Sequence, residues 1–176
     1  MKFLIALLLC FCGQVVGFAQ SQEMPRRNCR ECVITKTYQP VTKSTLVLLK
    51  PMSVADVSEG KMYFSLATSY NDSGIRRVVS VGVTFIAKQL IEAKDPALRA
   101  QADESAINLG RLAHSRTNTE AGLKISSYDG LADWEDVLKL GQCKRVDIDF
   151  DGIKFRLTDE HKAAILDFLA YGEGDP

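Results

Sequence analysis

Two short runs have residue types and spacing suited to chemistry. The first is Asp147-Ile-Asp149-Phe-Asp151-Gly152, which matches the opening half of the calcium-loop pattern D-x-D-x-D-G. Such a loop needs oxygen ligands at alternate positions, a glycine that turns the chain, and a bidentate glutamate at its end. Here the closing position holds Thr158, and Glu160 falls too late. The residues entering the run, Arg145 to Phe150, alternate polar and apolar with the period of a strand, so the entering helix is missing as well. A β-hairpin accounts for all three aspartates without a metal. Asp147 and Asp149 would face solvent opposite Arg156 and Lys154, and Asp151 would sit in the turn. No metal ligands are assigned here.

The second run is Cys29-x-x-Cys32. A redox dithiol needs its first cysteine at a helix N-terminus following a strand, where the thiolate is stabilised and exposed. In this chain a polar stretch precedes the pair, and Val33 to Tyr38, with strand-like composition, follows it. Arg26, Arg27 and Arg30 would lower a nearby thiol pKa by proximity, although three arginines in a polar lead-in are also what a solvated tail carries. Past residue 19 the chain holds Cys29, Cys32 and Cys143. One bridge therefore leaves one thiol, and the pairings open are Cys29–Cys32 or Cys143 with either. Zinc would need these three cysteines plus His114 or His161, without a second ligand pair at short spacing. A structural disulfide is expected. A thiol-redox or metal role for Cys29 and Cys32 is the alternative.

Nothing else forms a catalytic set. There is no G-x-S-x-G, His114 lies in a polar stretch, and His161 falls in the first turn of an expected helix. Asp129, Asp133, Glu135 and Asp136 surround Trp134, the pattern of paired carboxylates beside an aromatic platform for sugar. An acidic helix start with Trp134 as a core anchor explains the same residues. Asn71-Asp72-Ser73 is a glycosylation sequon, relevant only in a eukaryotic secretory route. No cofactor and no enzymatic activity are expected.

The elements that position these residues begin after an N-terminal leader. Lys2, the apolar run Phe3–Phe11, and the small residues Gly17 and Ala19 have the layout of a secretory signal peptide over residues 1–19, cleaved after Ala19. Cys10 and Cys12 follow Leu9 and Phe11 rather than small residues, which argues against a lipid anchor. The apolar run falls short of the roughly 20 residues a transmembrane helix needs. Export to a periplasm or the extracellular space follows as the expectation. Losing Lys2 turns a balance of 22 basic and 22 acidic residues into a formal charge of −1. That balance disfavours nucleic acid or an anionic membrane as the main partner.

Residues 20–43 read as a polar lead-in, and 44–176 as a single globular domain. Ser44–Lys50 reads as a strand bounded by Pro40 and Pro51. Lys61–Tyr70 and Ile75–Ala87 read as a hairpin that pairs Tyr70 with Ile75, Leu66 with Val79, Phe64 with Val81 and Met62 with Val83. After Asp95-Pro96, the spacing of Leu98, Ala102, Ala106, Leu109 and Ala113 predicts a helix. His114–Gly122 reads as loop, and Leu123–Ser126 as a short strand. A short helix, Trp134–Leu140, is capped by Asp133 and ended by Gly141. Asp151-Gly152 then joins a hairpin pairing Phe150 with Ile153, Ile148 with Phe155 and Val146 with Leu157. Thr158 caps a last helix, whose apolar stripe includes Ala164, Ile165, Phe168 and Leu169.

The expected fold is α+β: an antiparallel sheet of about five strands from two hairpins, one face covered by the C-terminal helix and the 96–113 helix. The other face, with Tyr63, Ser65 and Ser80, is the candidate ligand face. The functional expectation is an exported, non-catalytic module that binds an envelope protein or a small ligand, with no bearing on oligomeric state.

Overall fold

Alternating strands dominate the chain, and they assemble into two antiparallel sheets. The computed structural model describes residues 21–25, 27, 29–71, 74–75 and 78–173. The leader, Arg26, and Asp72-Ser73 of the sequon lie outside the described residues. The strands are β1 (Ser21–Glu23), β2 (Ile34–Gln39), β3 (Ser44–Val57), β4 (Gly60–Asn71), β5 (Gly74–Ile75), β6 (Val78–Ala87), β7 (Ala97–Ala102), β8 (Ser105–Arg111), β9 (Ala113–Glu120), β10 (Leu123–Asp133), β11 (Val146–Phe150) and β12 (Ile153–Arg156). Two helices, α1 (Trp134–Gln142) and α2 (Asp159–Gly172), complete the set among the described residues. One sheet runs β1-β2-β3-β4-β6-β10-β9 with β5 paired to β4, and the other runs β12-β11-β7-β8. The class is α+β in broad terms, but the main sheet has eight strands rather than about five.

The helix expected over 96–113 is instead the hairpin β7–β8. Leu98, Ala100 and Ala102 are buried while Arg99 and Gln101 are exposed, a period of two hidden beneath alanines that also fit a helix. Ala106 and Ala113, which completed the helical stripe, are exposed. Asp103 turns the chain at φ 50°. Pairing of β7 with β11, Ala100 opposite Ile148 and Leu98 opposite Phe150, outweighs the small helix propensity of alanine.

Other boundaries also moved. The expected loop His114–Gly122 contains β9, whose side chains are largely exposed on both faces, so it carries no apolar alternation to read. The lead-in contributes β1 and β2. The first strand does not stop at Pro51, because β2 pairs with β3 only as far as Ile34–Leu49, and Lys50 N–H bonds Val33 O. Pro51 lies just beyond, where β2 no longer asks it for an N–H, at a register shift between Leu49 and Met52. The first hairpin pairs Tyr70 with Ile75 as expected, yet Leu66 meets Val81, Phe64 meets Val83 and Met62 meets Phe85. The shift is of two residues, and an even shift keeps every side chain on its face. Gly141 lies inside α1, where a Cβ would stand 2.7 Å from the Leu166 side chain; it marks the α1–α2 contact and not a helix end.

The C-terminal segment follows its expected register. Phe150 pairs with Ile153, Ile148 with Phe155, and Leu157 N–H bonds Val146 O. Thr158 Oγ1 accepts from His161 N–H, and His161 Nδ1 accepts from Thr158 N–H, closing both ends of a capping box. The helix lies against β3 and β4 on one side of the large sheet. Elsewhere on that side the small sheet takes its place, with the Phe150 ring 6.0 Å from Phe85 and 5.5 Å from Tyr128. Phe150 is fully buried at this junction. Phe150→Ala is expected to destabilise the fold by about 3–5 kcal/mol, read from urea unfolding.

Candidate functional site

The inner face of the large sheet is filled by aromatic and branched side chains, and strand alternation sends the intervening residues outward. Register places them in rows. Ser65 of β4 lies beside Gly82 of β6, which lies beside Asp129 of β10. The next row is Ala67, Ser80 and Leu131; on the other side it is Tyr63, Thr84 and Ser127. Tyr63, Ser65 and Ser80 thus share one face and are partly exposed. Apart from Tyr63, Asp129 and Leu131 the side chains are small, and the ends of Ser65 and Asp129 close over Gly82. A Cβ added there would stand 2.5 Å from Ser65 Oγ and 2.8 Å from Asp129 Oδ1. The Thr84 and Ser127 hydroxyls bond each other at 3.1 Å.

At one end of these rows lies a shallow depression of about 290 Å³, lined by Leu46, Ala67, Thr68, Ser69, Val78, Ser80 and Leu131. Leu131 is 70% exposed and Val78 40%. The surface offers a floor of Gly, Ala and Ser, hydroxyls able to donate or accept, one carboxylate, and an uncovered apolar rim. Chemically, such a surface can exchange hydrogen bonds and bury an apolar side chain. Leu46, Asp129 and Leu131 were not singled out for this face from sequence. The alternation Ser127-Tyr128-Asp129-Gly130-Leu131 could have shown Asp129 and Leu131 on one side, but only strand pairing shows that they adjoin Ser65 and Ser80. Trp134, read as an alternative sugar platform, is buried against α2, where its ring closes on Gly172.

The cysteine pair builds a different kind of place. Cys29 and Cys32 are joined in a disulfide, and among the described residues Cys143 is the remaining thiol. Both bridged residues are buried, Cys29 at 2% and Cys32 at 5% exposure. Their segment is strapped to α2. Asp167, fully buried, accepts from the N–H groups of Arg27 and Cys29, each at 3.1 Å. Glu160 Oε1 accepts from the N–H of Arg30 and, at 2.8 Å, of Glu31. Tyr171 OH donates to Pro25 O at 2.6 Å, with the Arg27 guanidinium over its ring. A strand, not a helix, follows Cys32. Burial pushes the Cys143 thiol pKa up, and the neighbouring Asp103 adds to the rise.

Each aspartate of the calcium-like run has its own protein donors. Asp147 accepts from Arg145 Nε and Arg156 Nε, both at 2.7 Å. Asp149 accepts from Gly152 N–H at 2.9 Å, leaving Lys154 as its register partner without an ion pair. Asp151, at φ 52°, accepts from the N–H groups of Lys94 and Asp95 and fastens the loop before β7. Among the described residues no helix is long and apolar enough to cross a membrane. No family model, curated protein or solved structure matches the chain.

His161 lines a small cavity beside the disulfide, with Glu160, Lys50 and Ser53. Burial lowers its pKa below the ordinary 6.5, against the opposing pull of the Ser53 backbone and Glu160. A depressed histidine pKa means the folded state binds fewer protons than the unfolded chain. Its contribution is complete above pH 6.5 and is lost as pH falls through the lower folded value. Protonation also removes the Nδ1 acceptor that serves Thr158 N–H. Asp103, Asp147 and Asp159 are held below 3.8 mainly by bonds from Arg145 N–H, Arg156 and Lys162, so they titrate beneath this window. Stability measured by urea unfolding should fall as pH drops below 6.5, and His161→Gln, which cannot titrate, should flatten that fall.

Proposed function

We propose that the chain is an exported, non-catalytic binding module that seats a partner protein of its cell envelope or extracellular surroundings on the outer face of the large sheet. The observation that carries the reading is Leu131, 70% exposed beside Val78, at the edge of a floor made of Ala67 and Ser80. Burying one such side chain is worth about 1.5–3 kcal/mol, and a flat floor lets an apolar side chain reach the backbone. A small ligand is better served by enclosure than by a shallow depression, which favours a protein partner. The leader-like residues 1–19 and the Cys29–Cys32 bridge support export, since disulfides persist in oxidising compartments. The burial of both cysteines and their strapping to α2 favour a staple over a redox centre.

Photocrosslinking tests the reading directly. A photoreactive residue at position 131, introduced in the host, should give one discrete adduct, whereas the same residue at Val41, 97% exposed in the β2–β3 turn, should not. The identified partner, purified, should then bind Leu131→Asp about 10- to 100-fold more weakly, with the thermal midpoint unchanged because Leu131 is exposed. Identical adducts from both positions, or undiminished binding by Leu131→Asp, would overturn the assignment.

A further inference from the structure

The large sheet ends at β9, and among the described residues nothing pairs with the outer side of that strand. Its geometry fixes which backbone groups are open. Ala121 and Gly122, at φ 50° and 80°, form the two-residue turn to β10, with Glu120 opposite Leu123. The pair flanking such a turn exchanges hydrogen bonds, so alternation directs the N–H and C=O of Thr119 and Thr117 away from β10. The Thr119 N–H is accordingly taken by the side-chain oxygen of Asn118, at 2.8 Å. Edges are commonly guarded by proline, lysine or a bulge. Here β9 has neither residue, and its register shift lies towards His114, leaving 116–120 regular.

We infer that β9 pairs antiparallel with β9 of a second copy of the chain, about a two-fold axis at Asn118, so that the large sheet continues from one copy into the other. The segment Arg116-Thr117-Asn118-Thr119-Glu120 is complementary to itself. Rotation about Asn118 sets Arg116 of each copy opposite Glu120 of the other. These are non-hydrogen-bonded positions, where side chains across a strand pair approach most closely. Thr117 and Thr119 then face each other with their outward N–H and C=O groups directed across the axis. Sliding one strand separates both charge pairs, and a longer slide sets Arg116 against Arg116 or Glu120 against Glu120. Only one register satisfies the backbone and both charges together. In the single copy Asn118 covers the open N–H with a side chain that rotates aside when a strand arrives. The inference uses the edge of the sheet and does not depend on the binding role of its outer face.

Sedimentation equilibrium over a concentration series, on protein purified as its host processes it, tests the arrangement. The wild type should show a monomer–dimer equilibrium. Arg116→Glu and Glu120→Arg should each weaken the dimer about tenfold, since each places like charges opposite one another twice. The double variant, with the charges exchanged, should recover the wild-type constant. Thr119→Pro removes an outward N–H and should abolish the dimer. A wild type that stays monomeric throughout, or a dimer whose constant ignores both charge reversals, would overturn the inference. Recovery in the double variant separates pairing from misfolding, because damage to the fold is not repaired by a second reversal.

Discussion

Phe150 of the small sheet rests against Phe85 and Tyr128 of the large one, and the rest of the architecture depends on that contact. Aromatic pairs of this kind add about 0.5–1.5 kcal/mol beyond the area they bury. Their structural effect is larger, because they decide which face of the large sheet becomes interior. Once the small sheet sits over Phe85 and Tyr128, α2 covers the stretch under β3 and β4, and the inner face is closed. The opposite face, rows of serine, alanine, glycine and threonine that also hold Tyr63 and Asp129, with Leu131 at one end, is left uncovered by the described residues. The candidate surface is what the packing of the core leaves over.

The N-terminal strap depends on that arrangement in turn. Asp167 can accept from Arg27 and Cys29 only because α2 is pinned beneath the sheet, with Phe168 and Leu169 buried beside it. A buried carboxylate needs such donors, and two backbone N–H groups supply them. The disulfide closes only a short loop, so its entropic contribution is small compared with that of a long-range bridge. Its role is to hold the 29–32 turn, within which the Arg30 and Glu31 N–H groups converge on Glu160 Oε1. The loop before β7 is tied down likewise, by Asp151 accepting from Lys94 and Asp95.

Legibility in the sequence followed the range of the forces involved. The β11–β12 hairpin and the capped start of α2 were readable because Asp151-Gly152, Thr158 and the flanking alternation all act within a few residues. Around 98–113, alanines satisfied the helical and strand periods at once. The choice was made by Ile148 and Phe150, some fifty residues later in the chain, pairing with Ala100 and Leu98. β9 was unreadable for another reason: a strand wet on both faces has no apolar period. For the candidate site, Tyr63, Ser65 and Ser80 could be grouped from alternation within one hairpin. Asp129 and Leu131 join them only through β6–β10 pairing across an intervening hairpin, and the carboxylates that strap Cys29 lie at the far end of the chain.

The composition of the outer face is not what the fold itself requires. A wet sheet face readily takes threonine, lysine or aromatic residues, which favour strands, whereas glycine and alanine weaken them. Gly82 occupies the central strand of this face, and what a Cβ there would meet is the movable ends of Ser65 and Asp129, not fixed backbone. Packing within the chain therefore does not demand a glycine at that point; it serves to keep the surface low. Small residues in the middle of a sheet lose local stability, and under the proposed binding role a closely approaching partner would offset that loss by covering the floor and burying Leu131. A strand that joins β9 meets the same surface from its rim, because Arg116 pairs with Ser127, an outward position in the Tyr63 row. Face and edge thus form one continuous surface, in which a second copy would widen the floor that a partner meets.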